Sequence, residues 1–600
     1  MYIFEHLFNV HTYISQYEMD TKGRESNYDK FPATKINGNI DVGWEKIIEK
    51  FTALLQINSY LAIDLYVGIH EEEVYSELKK LNCALTINTR DLFKSYDEIL
   101  QMTKRFVTDD ALFGYVTVFD IEDYFDKYKL EQVKEEIKNT NGKVVVMGSG
   151  ASLVVPDNSC LIYADMARRE HQLRMYKNSV NALGLDNRKD PFISQHKRHY
   201  FNDWLICNNY KDRLFHKVDY WLDTHVPFEP KLIDKKTFLK GIESTIKKPF
   251  RVVPFFAPAP WGGQWMKEVC DLDRSEINYG WCFDCVPEEN SLLFDINDIL
   301  FELPSINLVL LKSKELLGAP VESRFGKEFP IRFDLLDTVG GGYLSFQVHP
   351  TTQYIRENFG MQYTQDESYY IIDAKEGATV YLGLQNDVDK EQMAKDLNKA
   401  QSGEIHFDAE KYSNRINAKK HDHFLIPGGT IHCSGPECLV LEVSSTPNHF
   451  TFKMWDWGRL GLDGKPRPIN IERGLDVIDW ERDHDYTMKY LVNDIKTIAQ
   501  GDGWIEERTG LHVNEFIETR RHRFSKTVLH DTQNSVNVLN LTEGEEIIVE
   551  SVDGTFDPFI VHYAETFIIP ASLGQYTIRP YGKAIGSDCI TIKAYIRFRS

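Results

Sequence analysis

Gln347 and His349 in the run LSFQVHP, Glu367 ahead of SYYIIDA and His432 at the end of LIPGGTIH are residues whose types and spacing could do chemistry together. Residues i and i+2 of a β-strand project to one face, so Gln347 and His349 emerge side by side. Glu367 precedes a β-prone run. His432 follows the turn Pro427-Gly428-Gly429 and leads into the strand-like CLVLEVSS, so neighbouring strands can deliver both. Imidazole nitrogens with a carboxylate and an amide oxygen form a set suited to zinc, and iron, manganese or cobalt accept similar ligands. The expected centre is one divalent metal ion with an open position, as in a metalloenzyme. Taken singly, a strand histidine beside a proline, as His349 is beside Pro350, is more often a hydrogen-bonded structural residue. The joint pattern carries the reading.

The elements that must position these residues begin after Lys247-Lys248-Pro249, where the composition turns to VVPFFAPAPWGG. Before that break, Trp44 to Leu55 has helical spacing, Tyr60 to Val67 is an apolar strand and Glu71 to Leu81 returns to helix. Such alternation predicts an α/β layer domain with a largely parallel sheet over residues 1–248. Residues 249–499 are expected to form the metal-binding barrel. Within them the charged stretch Val388 to Ala400 reads as a helical insertion over the barrel's mouth. Strand-like SVNVLNL, EEIIVES, TFIIPAS and CITIKAYIRF, separated by turn residues, predict a second jelly-roll barrel over 500–600. FIIPASLGQYTI echoes LIPGGTIH without its histidine, so that barrel is expected to be metal-free. The fold class is therefore multi-domain, an α/β layer domain followed by a mainly-β pair of jelly-roll barrels.

In order along the chain, Trp261-Gly262-Gly263, EFPIRFDLLDT, LSFQVHP, ESYYIIDAKEGA, LIPGGTIH, LVLEVSS and MWDWGRLGLDGKPR resemble the motifs of type I phosphomannose isomerases, above all the shorter bacterial form. The likeness covers roughly residues 250 to 600. It implies a zinc-dependent bicupin that interconverts mannose 6-phosphate and fructose 6-phosphate, with Gln347, His349, Glu367 and His432 as ligands. Two positions depart from the family. A lysine usually stands two residues before the metal-binding glutamate, where this chain has Gln365. An arginine usual after the last metal histidine is replaced in Thr451-Phe452-Lys453, which keeps the charge and loses the guanidinium fork. Arg459, in DWGR, matches a basic residue of the bacterial family.

Aldose–ketose isomerisation moves a proton between C1 and C2 through an enediolate, whose charge a bound metal stabilises. The proton needs a general acid/base within hydrogen-bond reach. Lys453, Arg459 and Gln365 are the candidate catalytic residues, with Lys453 and Arg459 able to steady developing charge or grip phosphate. The altered Gln365 and Lys453 leave open a sugar-binding or regulatory protein that holds metal without turnover.

The amino-terminal region has a feature of its own. In KVVVMGSGASLVV a buried-type strand runs into Gly148, Ser149 and Gly150, a glycine-rich turn that could cradle phosphate. It lacks the lysine of a P-loop and the third glycine of a dinucleotide fingerprint. With Asp64 and the cluster Arg168, Arg169 and Arg174 it resembles the strand and basic lid of small-molecule kinases. Nucleotide or phosphosugar binding there, and a bifunctional kinase/isomerase, are the corresponding expectations.

With 600 residues, 42% of them hydrophobic, the chain can bury several cores. A net charge of -21 opposes nucleic-acid binding. The start MYIFEHLFNVHTY lacks a basic segment followed by an apolar one, and no run is long enough to span a membrane, so a cytoplasmic location is expected. Nine thinly spread cysteines fit reduced thiols, and the lone pair Cys282 and Cys285 reads as packing. His421 and His423 read as structural.

Overall fold

The computed structural model describes residues 26–460, 469–510 and 512–598, so the reading of the first residues and the 461–468 part of MWDWGRLGLDGKPR lie outside it. The chain divides into two compact units. One comprises Ala33–Thr245 and Glu288–Leu311; the other comprises Met1–Pro32, Ile246–Pro287 and Lys312–Ser600. The division differs from a single cut at 248/249. The segment Ser291–Ile296 pairs in parallel with Ala33–Ile36 and turns back into Ile299–Pro304, which gives the α/β unit a separate three-stranded sheet.

The main sheet of the α/β unit has seven strands, in the order Asp41–Val42, Lys231–Asp234, Tyr220–Asp223, Cys160–Asp165, Tyr60–Leu65, Val144–Gly148 and Leu85–Asn88. The last five are mutually parallel, Lys231–Asp234 runs antiparallel to them, and Asp41–Val42 pairs antiparallel with Lys231–Asp234 at the edge. YLAIDL, VVVMG and CLIYAD read as unbroken apolar runs because parallel strands are covered on both faces, and these are almost wholly buried.

The other unit holds two pairs of antiparallel sheets. In the first pair, a six-stranded sheet orders His423–Ile426, Glu367–Ala374, Cys438–Ser445, Ile331–Asp337, Trp281–Cys285 and Phe255–Ala257. Its partner orders Ser413–Asn417, Thr379–Leu384, His432–Ser434, Phe346–Val348 and Phe452–Trp455. Tyr369, Ile371, Phe424 and Val440 from the first sheet share one core with Val380 and Leu382 from the second. The second pair has six and four strands, and its core joins Leu539, Phe567 and Ile569 to Ile547, Val549 and Ile578.

The helix Lys390–Gln401 is capped by Asp389 and buries Met393, Leu397 and Ala400. It interrupts the barrel as expected, and its residues do not line the cavity described below. All nine cysteines are free, with Cys282 and Cys285 buried on one strand. Among the described residues no helix is long and apolar enough to cross a membrane.

Candidate metal centre

The two facing sheets each contribute ligands. Gln347, on Phe346–Val348, is paired across the sheet with His432 on one side and Lys453 on the other. His349 follows two residues later on the same face. Glu367 opens its strand between Ile426 and Ser444. All four side chains are nearly solvent-free. Atoms of His349, Glu367 and His432 lie within 4.8 Å of one another. His349 Nε2 is 3.1 Å from Glu367 Oε2, and His432 Nε2 is 2.9 Å from Glu367 Oε1.

The outer contacts choose the tautomers. His349 Nδ1 faces the Phe450 carbonyl at 3.2 Å and His432 Nδ1 faces the Thr430 carbonyl at 2.9 Å. A carbonyl only accepts, so each Nδ1 carries the hydrogen and each Nε2 presents a lone pair to the centre. His349 Nε2 and Glu367 Oε1 make no well-formed hydrogen bond, although both are buried. Two converging lone pairs and a carboxylate oxygen left this way fit a cation better than a hydrogen-bond network. Gln347 takes Ser345 Oγ on Oε1 at 2.8 Å and places Nε2 3.2 Å from His432 Nε2. Rotating its amide by half a turn exchanges the two atoms and offers the oxygen as a fourth ligand.

Burial raises the Glu367 carboxyl, but His349 and His432 outweigh it and hold the group well below the usual carboxylate range. Burial lowers His349, but Glu367 more than reverses this and holds it above its ordinary value. Glu442 behaves in the opposite way to Glu367. Burial, then the charges of Glu367 and Asp334, push it far above the carboxylate range against the pull of Arg332.

A cavity of about 110 Å³, continuous with open solvent, is lined by Gln347, His349, Glu367 and Glu442. Gln365 lines it and donates Nε2 to Glu367 Oε2 at 2.9 Å and Glu442 Oε1 at 3.4 Å. Lys453 also lines it. Arg459 does not: its guanidinium bonds the Tyr343 carbonyl at 2.7 Å and pairs with Asp456. Its charge steadies a loop. Trp261, Trp281 and Phe283 form an aromatic wall, with the two indoles edge to face at 5.2 Å. Gly263 is required behind it, because a Cβ there would stand 2.1 Å from Asp337 Oδ1.

The sequence reading missed Arg332, Asp334 and Glu442, which also line the cavity. Arg332 and Asp334 are an i, i+2 pair joined at 3.0 Å, and Asp334 is in register with Glu442 on the next strand. The available signal was a charged residue at alternate positions in otherwise apolar runs, IRFDLLD and CLVLEVSS.

The glycine turn at Gly148, Ser149 and Gly150 is not an open phosphate cradle. The amides of Gly150 and Ser152 donate to the two oxygens of Asp64 at 2.8 and 2.9 Å, and Tyr210 Oη adds a third bond at 2.8 Å. A buried carboxylate sits where the phosphate was expected. A Cβ on Gly148 would lie 2.2 Å from Thr89 Oγ1, so packing explains that glycine. Arg174 is no exposed lid either. It is buried, bonded to Glu170 at 2.7 Å and to the Gly68 carbonyl at 3.3 Å.

Burial pushes Asp64 up to about 6, against the hydrogen bonds from Ser152, Tyr210 and Gly150. Its folded value lies above its unfolded one, so the stability it contributes is full below the ordinary carboxyl range and is lost as pH rises through about 6. Asp64→Asn is expected to remove this component. Chemical denaturation from about pH 4 to 7 checks it: the wild-type midpoint should fall more steeply with rising pH than the variant's.

Residues 43–247 match a family model described as a domain of unknown function (DUF8485). The mannose-6-phosphate isomerase ManA of Bacillus subtilis (strain 168) is 28% identical over 154 residues, which are 26% of this chain and 45% of ManA. The mannose-6-phosphate isomerase of Streptococcus mutans is 26% identical over 220 residues, 36% of this chain and 64% of that protein. The matches thus span about half to two thirds of these relatives. A crystal structure of the mannose 6-phosphate isomerase from Bacillus subtilis aligns with 58% of this chain and 99% of its own, at 21% identity and a TM-score of 0.47. The two curated relatives named here are mannose-6-phosphate isomerases.

Proposed function

We propose that the chain is a metal-dependent aldose–ketose isomerase that interconverts mannose 6-phosphate and fructose 6-phosphate. The active barrel is the first of two cupin-type barrels, over 249–499 and 500–600, behind an amino-terminal α/β domain. The clustering of His349, Glu367 and His432 beside a cavity lined by Gln347, His349 and Glu367 carries this reading. Nine free cysteines agree with a cytoplasmic setting.

A zinc ion bound by these four residues would supply Lewis acidity toward the substrate's carbonyl and enediolate oxygens. Glu442 lines the cavity and, as its carboxylate, would take the proton from one of C1 and C2 and return it to the other. Gln365 ties Glu442 to Glu367 and fixes both carboxyls. Lys453 supplies a point charge for the phosphate. The aromatic wall takes the apolar face of the sugar and excludes water.

Solvent exchange tests the route. In D₂O the product is expected to carry deuterium at carbon, read by proton NMR, because the proton on Glu442 exchanges with solvent between steps. Turnover with complete retention of the substrate hydrogen would contradict an exchangeable carboxyl carrier. A second reading, a sugar-binding protein without turnover, is favoured by Arg459, whose guanidinium is engaged away from the cavity. Bound metal with no conversion would select it.

A further inference from the structure

The α/β unit contains a second pocket, a narrow cleft open to solvent and remote in sequence from the metal ligands. It lies beyond the carboxyl ends of three parallel strands. Val67 to Ile69 follow Tyr60–Leu65, Arg90 follows Leu85–Asn88 and Ser149 follows Val144–Gly148; the segment Ser179 to Arg188 closes it. Ligands of open parallel sheets bind at this edge, where the connections leave the strands.

Its polar lining is unevenly satisfied. Arg90 gives one bond to the Leu185 carbonyl at 3.2 Å and faces Asp186 only at 3.8 Å. Arg188 pairs with Glu72 at 3.1 Å. Asp186 and Glu72 are largely exposed, with 73% and 68% of their side chains accessible. Surface pairs of this kind are worth about 0–1 kcal/mol, so an incoming anion can displace them. Glu71 is different: its Oε2 is shielded from water and has no hydrogen-bond partner. Burial raises its carboxyl, while Arg90 opposes the rise. Water or a ligand hydroxyl can supply the donor that this oxygen lacks within the chain. Phe93, Val180 and Leu183 provide apolar walls between the charged groups.

We propose that this cavity binds a small phosphorylated sugar, with Arg90 and Arg188 gripping the phosphate and Glu71 accepting from a hydroxyl. Two guanidiniums match a phosphate by their forked donors. A free carboxylate oxygen beside them selects a ligand that also carries hydroxyl groups. The phosphate does not enter the Gly148 to Gly150 turn, whose amides belong to Asp64. Binding here is independent of turnover at the metal centre.

Titration calorimetry of the full zinc-loaded chain with fructose 6-phosphate tests this, run beside R90A/R188A, R90K/R188K, E71Q and an unphosphorylated fructose control. A binding phase is expected that is lost, by at least tenfold in affinity, in R90A/R188A, while isomerase turnover and melting temperature hold. R90K/R188K should lose less, since it keeps the charge without the fork, and E71Q should weaken the same phase about tenfold. Fructose should not saturate it. A double-variant isotherm that superimposes on the wild type's overturns the proposal, whether or not the protein isomerises anything. Equal binding of fructose overturns the phosphate assignment. Magnesium-ATP binding there in place of fructose 6-phosphate overturns the sugar assignment in favour of a nucleotide.

Discussion

His432→Ala is expected to release the metal and lower turnover by at least ~10²-fold, the scale on which loss of electrostatic stabilisation at a developing oxyanion is felt. His432 Nε2 stands 2.9 Å from Glu367 Oε1, and its ring is 5.0 Å from that of His349. Removing it leaves one imidazole, one buried carboxylate and the weakly donating amide of Gln347, a poorer set than the histidine-rich triads of catalytic zinc sites. Glu367→Gln should act alike, since a neutral amide cannot balance the ion's charge in a low-dielectric pocket. Metal analysis after dialysis and steady-state kinetics check both. The variants should match the metal-stripped wild type, and metal retention with wild-type kcat would show that these residues serve packing alone.

Glu442→Gln should separate proton transfer from metal binding. The amide keeps the shape and the contact with Gln365, 3.4 Å away, but cannot carry an exchangeable carboxyl proton. The expected loss in kcat is ~10² to 10⁴-fold, the usual contribution of a positioned acid/base. Metal content and KM should change little, and deuterium incorporation should fall together with kcat. Glu442→Asp should restore part of the rate. A variant that loses metal along with activity would instead make Glu442 a support for Glu367.

Much of this site was legible because strand geometry is local. The two-residue period placed Gln347 beside His349, and the turn before His432 announced its strand. Glu442 was not legible because its role comes from register. Only the pairing of Ile331–Asp337 with Cys438–Ser445 sets it opposite Asp334, and its proton affinity is raised by burial and by the charges of Glu367 and Asp334 that this pairing brings near. The glycine turn misled for a similar reason: the anion that satisfies its amides is Asp64, on the adjacent parallel strand. In the fold, the parallel strands announced themselves as apolar runs. The transfer of Ser291–Ile296 to the α/β unit did not, since a hairpin's own pattern says nothing about which distant edge it joins. Arg459 shows the limit of matching a charge by position, for its guanidinium is held by Tyr343 and Asp456.

Conversion of mannose 6-phosphate to fructose 6-phosphate by the zinc-reconstituted full chain tests the central claim most directly. Steady turnover that disappears on chelation and returns with stoichiometric zinc is the predicted result. A protein that binds one zinc ion per chain through these ligands and converts neither sugar phosphate into the other would contradict it.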